Sequence, residues 1–205
     1  MREPDWRQPR PTEADVERMW RDLVVRPLPA HPLVVDELLD LLHDRYPSGD
    51  TAFTGFALGD HPVLAWHASR NRLPEIGFPA RLLHHPAVVE ALSSPGFRPS
   101  IRDVAFSPVD PFTLPGRIAS YVHHGGAYHY PPTDPDRRTE DAIASLELAT
   151  SVCAALFGMR LTDLVVAYSD RPWSDWFFGT IGDATFVVLD RAARNLWLLC
   201  VSDDA

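Results

Sequence analysis

The chain has 205 residues, 45% of them hydrophobic and 23% charged, with a formal net charge of −9 at pH 7. This length allows one well-buried core, and the composition is that of an ordinary globular domain. No apolar run approaches the roughly 18 residues that a membrane-spanning helix needs, and the polar N-terminus lacks the apolar stretch of a secretory signal. We therefore expect a cytoplasmic protein with no membrane partner.

The charged residues narrow the classes of partner. All 19 basic residues are arginine, and asparagine occurs only twice, a bias that is typical of a high-GC bacterial genome. No basic patch is visible, and nucleic acid is excluded as a partner because phosphate binding needs clustered positive charge. Cys153 and Cys200 have no ligand-spaced partners nearby, and we expect both to be buried free thiols.

The N-terminal region divides into an arm and the start of a domain. Residues 1–11 contain three prolines among charged side chains and predict a flexible arm, and residues 12–205 predict a single domain. Thr12 and Asp15 have the spacing of a capping box. Apolar residues follow at three-and-four spacing as far as Val25, which predicts the first helix.

Further elements follow in the first half of the chain. A second helix begins at Pro32, and Thr51–Leu58 and Val63–Ala68 predict two strands joined by a turn. A short third helix is predicted over Pro86–Leu92, with His85 at its N-cap. The acidic residues on the solvent face of the second helix are Asp36, Glu37, Asp40 and Asp44.

The middle of the chain has two weak strand patterns and one long helix. Arg102–Phe106 and Ile118–Val122 have the β-branched and aromatic content of short strands. A helix of about 135–157 follows, because Asp134 is a suitable N-cap and Gly158 a suitable C-cap. Its predicted buried face consists of Ile143, Leu146, Ala149, Val152, Cys153, Leu156 and Phe157.

Three apolar runs lie near the C-terminal end. Turn formers separate these runs, which are Leu161–Tyr168, Thr185–Leu189 and Leu196–Val201. The pattern predicts a three-stranded antiparallel meander. Helices and strands are partly segregated along the chain, which favours an α+β fold over a doubly wound one. The predicted fold is an antiparallel sheet whose meander packs against the long helix, with smaller N-terminal helices.

The histidines raise the question of a metal site. Three imidazoles lie within seven residues beside two glycines, and imidazoles joined by a carboxylate are ordinary ligands of zinc. The candidate ligands are His123, His124, His129 and Asp134. Their spacing matches no established metal motif, so a loop of half-buried side chains without metal is the competing interpretation. His67, on an apolar face, is expected to be a hydrogen-bonded core histidine.

The loop at 169–182 is a candidate binding site. It combines aromatic side chains with arginine and carboxylates, and aromatic residues and arginine are enriched where proteins bind one another. We expect Trp176–Phe178 to enter the core as the beginning of the next strand. The candidate surface residues are Asp170, Arg171, Trp173 and Asp175.

These patterns support three hypotheses about function. The first is a non-catalytic acidic binding protein of the immunity or antitoxin kind, which captures a basic partner protein by charge complementarity. The alternative is a metal-dependent enzyme that uses the histidine cluster and a nearby aspartate, with a metal-bound water as nucleophile. A third is a homo-oligomer whose aromatic loop packs against its own copy. No residue pattern decides whether the protein is an enzyme.

Overall fold

The computed structural model describes residues 6–92, 97, 99–100, 104–158 and 160–204. The helices and strands of these residues, in chain order, are α1 (Glu13–Asp22), β1 (Val25–Pro27), α2 (Leu33–Arg45), β2 (Asp50–Leu58), α3 (Pro62–Ser69), α4 (Ala80–Leu83), α5 (Pro86–Ala91), β3 (Ser107–Val109), α6 (Leu114–His124), α7 (Pro135–Phe157), β4 (Leu164–Ser169), β5 (Ala184–Asp190) and β6 (Asn195–Ser202). Short 3-10 turns lie at Leu73–Ile76, Pro111–Thr113 and Leu161–Asp163.

The strands form one sheet of six antiparallel strands in the order β1-β2-β6-β5-β4-β3. The last three strands make the predicted meander, in which β5 pairs with β4 on one side and with β6 on the other. The predicted α+β fold is therefore confirmed, and the meander lies at the centre of the sheet.

Helices cover both faces of this sheet. Alternate side chains of a strand point to opposite faces, and in β6 Leu198 joins one apolar core while Trp197 and Leu199 join another. The first core is built against α1, α3, α4 and α5. The second is built against α2, α6 and the long helix α7. Burial on both faces explains why β5 and β6 are almost continuously apolar.

Local capping signals predict three helices correctly. The Thr12 side chain accepts a hydrogen bond from the Asp15 amide, and Asp15 accepts one from the Thr12 amide, so the capping box of α1 is present. His85 accepts from the Ala87 amide at the start of α5. Asp134 accepts from the Arg137 amide at the start of α7. Each contact satisfies a backbone donor that the first helical turn leaves free.

Two predicted strands are helices. Val63–Ala68 lies in α3, where His61 is the N-cap and Pro62 begins the helix. Nearly every side chain of this helix is buried, so it lacks the polar face from which a helical period is read. Ile118–Val122 lies in α6, whose buried residues Leu114, Ile118, Ala119 and Val122 have helical spacing. The prediction was wrong because the five residues of Ile118–Val122 are too few to show that period.

Other predictions need smaller corrections. Ile143 and Leu146, predicted on the buried face of α7, are exposed, because that face is set by Ser145, Ala149 and Val152. Residues 102 and 103 of the predicted strand Arg102–Phe106 lie outside the described residues, and the strand found in this region is Ser107–Val109.

The N-terminal arm is described only in part. Residues 1–5 lie outside the described residues, and residues 6–11 lie against the domain. Arg10 contacts Glu75, and the Gln8 carbonyl accepts a hydrogen bond from the Trp66 indole. Within the described residues, no helix combines the length and the apolar character that crossing a membrane requires.

Candidate binding loop and adjoining cleft

The loop between β4 and β5 is held in place by a buried tryptophan. The Trp173 side chain is 0% exposed, and its indole nitrogen donates a 2.8 Å hydrogen bond to the Thr185 hydroxyl on β5. The prediction of Trp173 as a surface residue was therefore wrong. An indole buries a large area and needs one acceptor, and Thr185 supplies that acceptor from inside the sheet.

Two further aromatic residues fix the same loop. Trp176 and Phe177 are buried and contact each other and Phe97, with ring centroids of Trp176 and Phe97 4.2 Å apart. This confirms their predicted place in the core. Phe178, which was predicted with them, is 56% exposed, because the chain turns outward there and β5 begins only at Ala184.

The loop exposes charged and apolar side chains from this anchored backbone. Asp170, Arg171 and Asp175 are exposed as predicted, with Asp170 and Arg171 forming a solvent-accessible contact of 3.7 Å. Beyond Phe178, Ile181 is 100% exposed. The loop thus presents carboxylates and large apolar groups together.

A cleft of about 710 Å³ adjoins this loop. It lies between the segment 125–127, which follows α6, and the segment 179–182, which precedes β5. Its lining consists of Tyr46, Ser120, Tyr121, His124, Gly125, Gly126, Ala127, Gly179, Thr180, Ile181, Gly182 and Asp203. The volume is within the usual range of small-molecule sites, about 300–1,000 Å³.

Two buried carboxylates hold the segments that border the cleft. Asp183 is 0% exposed and accepts hydrogen bonds from four donors: the amides of Gly179 and Thr180, the Ser202 hydroxyl and the Asp203 amide. A buried charge is tolerated when its hydrogen bonds are made. Asp183 therefore closes the loop onto the end of β6.

Asp203 is the second of these carboxylates and lines the cleft itself. It is 2% exposed, and it accepts from the Ala127 amide at 2.7 Å and from the Ser48 hydroxyl at 3.3 Å. Gly126 and Gly182 pass so close that a Cβ atom at either would lie within 2.6 Å of an Asp203 atom. Glycine is required at both positions because the backbone approaches the carboxylate directly.

Two tyrosine rings complete the buried part of the lining. The Tyr46 hydroxyl donates to the Tyr121 carbonyl, and the Tyr121 hydroxyl shares a 2.6 Å hydrogen bond with the hydroxyl of Tyr168. Burial raises the pKa of Tyr46, and the nearby Asp203 carboxylate raises it further. Burial raises the pKa of Tyr121 as well, so both phenols are protonated at neutral pH, and both residues line the cleft.

Three of the four predicted metal ligands, His123, His129 and Asp134, are held by other contacts, and the fourth, His124, is exposed. His129 Nε2 accepts a 2.6 Å hydrogen bond from Arg45, a group that only donates, and His123 Nδ1 contacts Asp141 at 2.7 Å. Asp134 is occupied as the N-cap of α7. Across the described ranges, no group of three or more histidine, cysteine, aspartate or glutamate side chains is placed to hold a metal ion.

His123 and His129 belong to a polar cluster that joins α2, α6 and α7. Asp141 bridges Arg45, at 2.5 Å, and His123. Burial acts to raise the pKa of Asp141, but the hydrogen bonds from Arg45 and His123 outweigh it and the pKa falls below its ordinary value. Burial lowers the pKa of His129, and the Arg45 guanidinium lowers it further.

His67 and both cysteines are buried, as predicted. His67 Nδ1 lies 2.9 Å from the Val63 carbonyl one helical turn earlier. Burial raises the pKa of the Cys153 thiol to about 12 and that of Cys200 as well, which makes both poor nucleophiles at neutral pH.

The sequence reasoning missed Asp203 and Tyr46 as lining residues. A signal for one of them was present: Asp183 directly precedes β5 and Asp203 directly follows β6. In an antiparallel pair the start of one strand lies beside the end of the next, and Ala184 indeed pairs with Val201. Nothing in the sequence indicated that the segment 125–127 would meet this point.

Comparison with known proteins adds no assignment to this geometry. No protein-family model matches the chain, and neither a curated protein nor a solved structure is significantly similar to it. Any function must therefore be argued from the residues themselves.

Proposed function

We propose that the protein is a non-catalytic binding protein of the bacterial cytoplasm, of the immunity or antitoxin kind, and that its loop 170–181 captures a basic partner protein. The observation that supports this proposal is the difference in burial between the aromatic residues in the first part of the loop and the apolar residues near its end. Trp173 and Trp176 are buried, whereas Phe178 is half exposed and Ile181 fully exposed. Anchored apolar side chains bind with less loss of conformational freedom than those of a mobile loop.

The negative charge of this region predicts that the partner protein is basic. Residues 161–205 contain seven aspartates and three arginines, and Asp170 and Asp175 are exposed beside the apolar side chains. The acidic residues of α2 are exposed as well, in agreement with the prediction for Asp36, Glu37, Asp40 and Asp44. An anionic surface accelerates association with a cationic partner and disfavours acidic ones.

The test compares two double charge reversals in purified protein. Asp170→Arg/Asp175→Arg changes the proposed surface, and Glu140→Arg/Glu147→Arg makes the same change of net charge on exposed positions of α7. Each protein is immobilised and exposed to a lysate of the source cells, and retained proteins are identified by mass spectrometry, purified and titrated individually.

We expect a basic protein whose affinity falls about tenfold in the loop variant, about 1.4 kcal/mol, and stays unchanged in the α7 variant. Its affinity should also decrease as salt is added, since exposed charges are screened. Equal losses of affinity in the two variants would mean that the net charge of the protein, and not the loop, determines binding. An acidic partner, or the absence of any saturable partner, would overturn the proposal.

A further inference from the structure

We propose that the cleft between segments 125–127 and 179–182 is a binding site for an organic cation, an ammonium or guanidinium group that pairs with the Asp203 carboxylate. This inference goes beyond the proposed function, because it concerns a small cation held by Asp203 and not a protein partner. The cleft shares Gly179, Thr180 and Ile181 with the loop, but the binding of a small cation there does not require that the loop captures a protein.

The first argument is the unequal hydrogen bonding of the two buried carboxylates. Asp183 is surrounded by four donors, whereas Asp203 receives two, one of them at 3.3 Å. Within the described part of the chain, neither lies within 4.0 Å of an arginine or histidine nitrogen. A carboxylate has about four acceptor positions, so Asp203 retains capacity for a donor in the cleft that it lines.

The second argument is that the other lining groups suit a cation and not an anion. The amides of Gly125, Gly126, Ala127, Gly179 and Thr180 already donate hydrogen bonds within the protein. Among the residues that the structure describes, no arginine lines the cleft. A phosphate or carboxylate ligand would therefore meet few free donors and one buried negative charge.

The aromatic lining favours an organic cation over a metal ion. Tyr46 and Tyr121 line the cleft, and their hydroxyls already take part in hydrogen bonds within the protein. Ammonium and guanidinium groups are attracted to the faces of aromatic rings. A metal site is usually built from several carboxylate or imidazole side chains, and among the described residues the lining of the cleft contains one carboxylate, Asp203, and one imidazole, the exposed His124.

The experiment titrates the full-length protein with n-butylguanidinium and with n-butylurea, its neutral counterpart of similar shape, by NMR and calorimetry. We expect saturable binding of the cation, with chemical-shift changes at the amides of 125–127 and 179–182. The urea should bind at least about tenfold more weakly. Equal affinities for the two probes would overturn the proposal.

Two variants locate the site. Asp203→Asn removes the charge, and Ser120→Trp fills the cleft from an exposed position of α6 without touching the hydrogen bonds of Asp203. Ser151→Trp, at an exposed position of α7, is the matched control. If Asp203→Asn fails to fold, the comparison of the two tryptophan variants still shows whether the cation binds in the cleft. Cation binding that survives Ser120→Trp would place the site elsewhere and overturn the proposal.

The same chemistry can come from a free amine or from an arginine side chain of a polypeptide. Acetyl-Gly-Arg-Gly-amide distinguishes these sources: tighter binding than n-butylguanidinium assigns the cleft to a polypeptide, and weaker binding to a free cation. Because n-butylguanidinium is tested without any partner protein, failure here leaves the loop proposal intact, and the reverse also holds.

Discussion

The Trp173 indole and the Thr185 hydroxyl form a hydrogen bond in the interior of the protein, 12 residues apart in sequence and both 0% exposed. This contact attaches the middle of the exposed loop to the central strand β5. The side chains that surround Trp173 therefore present a fixed surface, although they lie in a segment without regular secondary structure.

Shortening Trp173 should destabilise the protein. Trp173→Phe leaves the Thr185 hydroxyl without its donor and should lower the free energy of unfolding by about 1–3 kcal/mol. Trp173→Ala also creates a cavity and should cost about 3–5 kcal/mol. Urea denaturation measures both. The exposed Trp6 provides the control, since Trp6→Phe should change stability by less than about 0.5 kcal/mol. A Trp173→Phe variant as stable as the parent would contradict the role assigned to the hydrogen bond.

Asp183→Asn should be destabilising although it preserves shape. The asparagine amide offers one acceptor oxygen where four donors converge, and its NH₂ group would face N–H donors. We expect a loss of about 2–3 kcal/mol in thermal or urea unfolding. Asp175→Asn, at an exposed position of the same loop, should lose less than about 0.5 kcal/mol. Similar losses in the two variants would mean that the burial of Asp183 has no energetic consequence.

Stability should decrease as the pH falls below neutrality, in part through His129. Its pKa is lowered in the folded protein, so the unfolded chain takes up a proton first, near its ordinary pKa of about 6.5. The stabilisation that comes from this difference in pKa is present above about 6.5, and it is lost as the pH falls toward the lower pKa of His129 in the folded protein. Unfolding free energies at several pH values between neutral and acidic measure it.

Substitution of that histidine should reduce the pH dependence. His129→Gln keeps an acceptor oxygen for Arg45 but cannot be protonated, so its stability should fall less over the same range. His43→Gln, at an exposed position of α2, controls for the loss of a histidine as such. Identical pH profiles for the parent and His129→Gln would show that this histidine is not linked to folding.

The purified protein should contain no stoichiometric zinc, iron or manganese. His129 Nε2 is occupied by Arg45, and Asp134 by the helix that it caps. Elemental analysis measures the metal content, and thermal unfolding with and without a chelator should give the same Tm. One bound metal per chain that is lost on His123→Ala would restore the metal-dependent enzyme as a hypothesis.

Where the sequence predicted structure correctly, the information was local. The helix caps at Thr12, His85 and Asp134 depend on residues no more than three positions away. The meander follows from apolar runs separated by turn formers. The long helix α7 has both a cap and a sustained period. Such signals fail where nearly every side chain is buried, which is why the residues of α3 predict a strand.

The sites depend on contacts that no local pattern contains. The segment 125–127 meets Asp203 across more than 70 residues, and Arg45 reaches His129 across 84. The sequence by itself determined the fold class, the C-terminal meander and the acidic character of the chain, because composition, capping and periodicity act over a few residues. Only the tertiary structure decided that Trp173 is buried, that His129 pairs with Arg45 and His123 with Asp141, and that a carboxylate lines a cleft. Those outcomes depend on which distant segments pack together, and packing energy is shared among residues that the sequence keeps far apart.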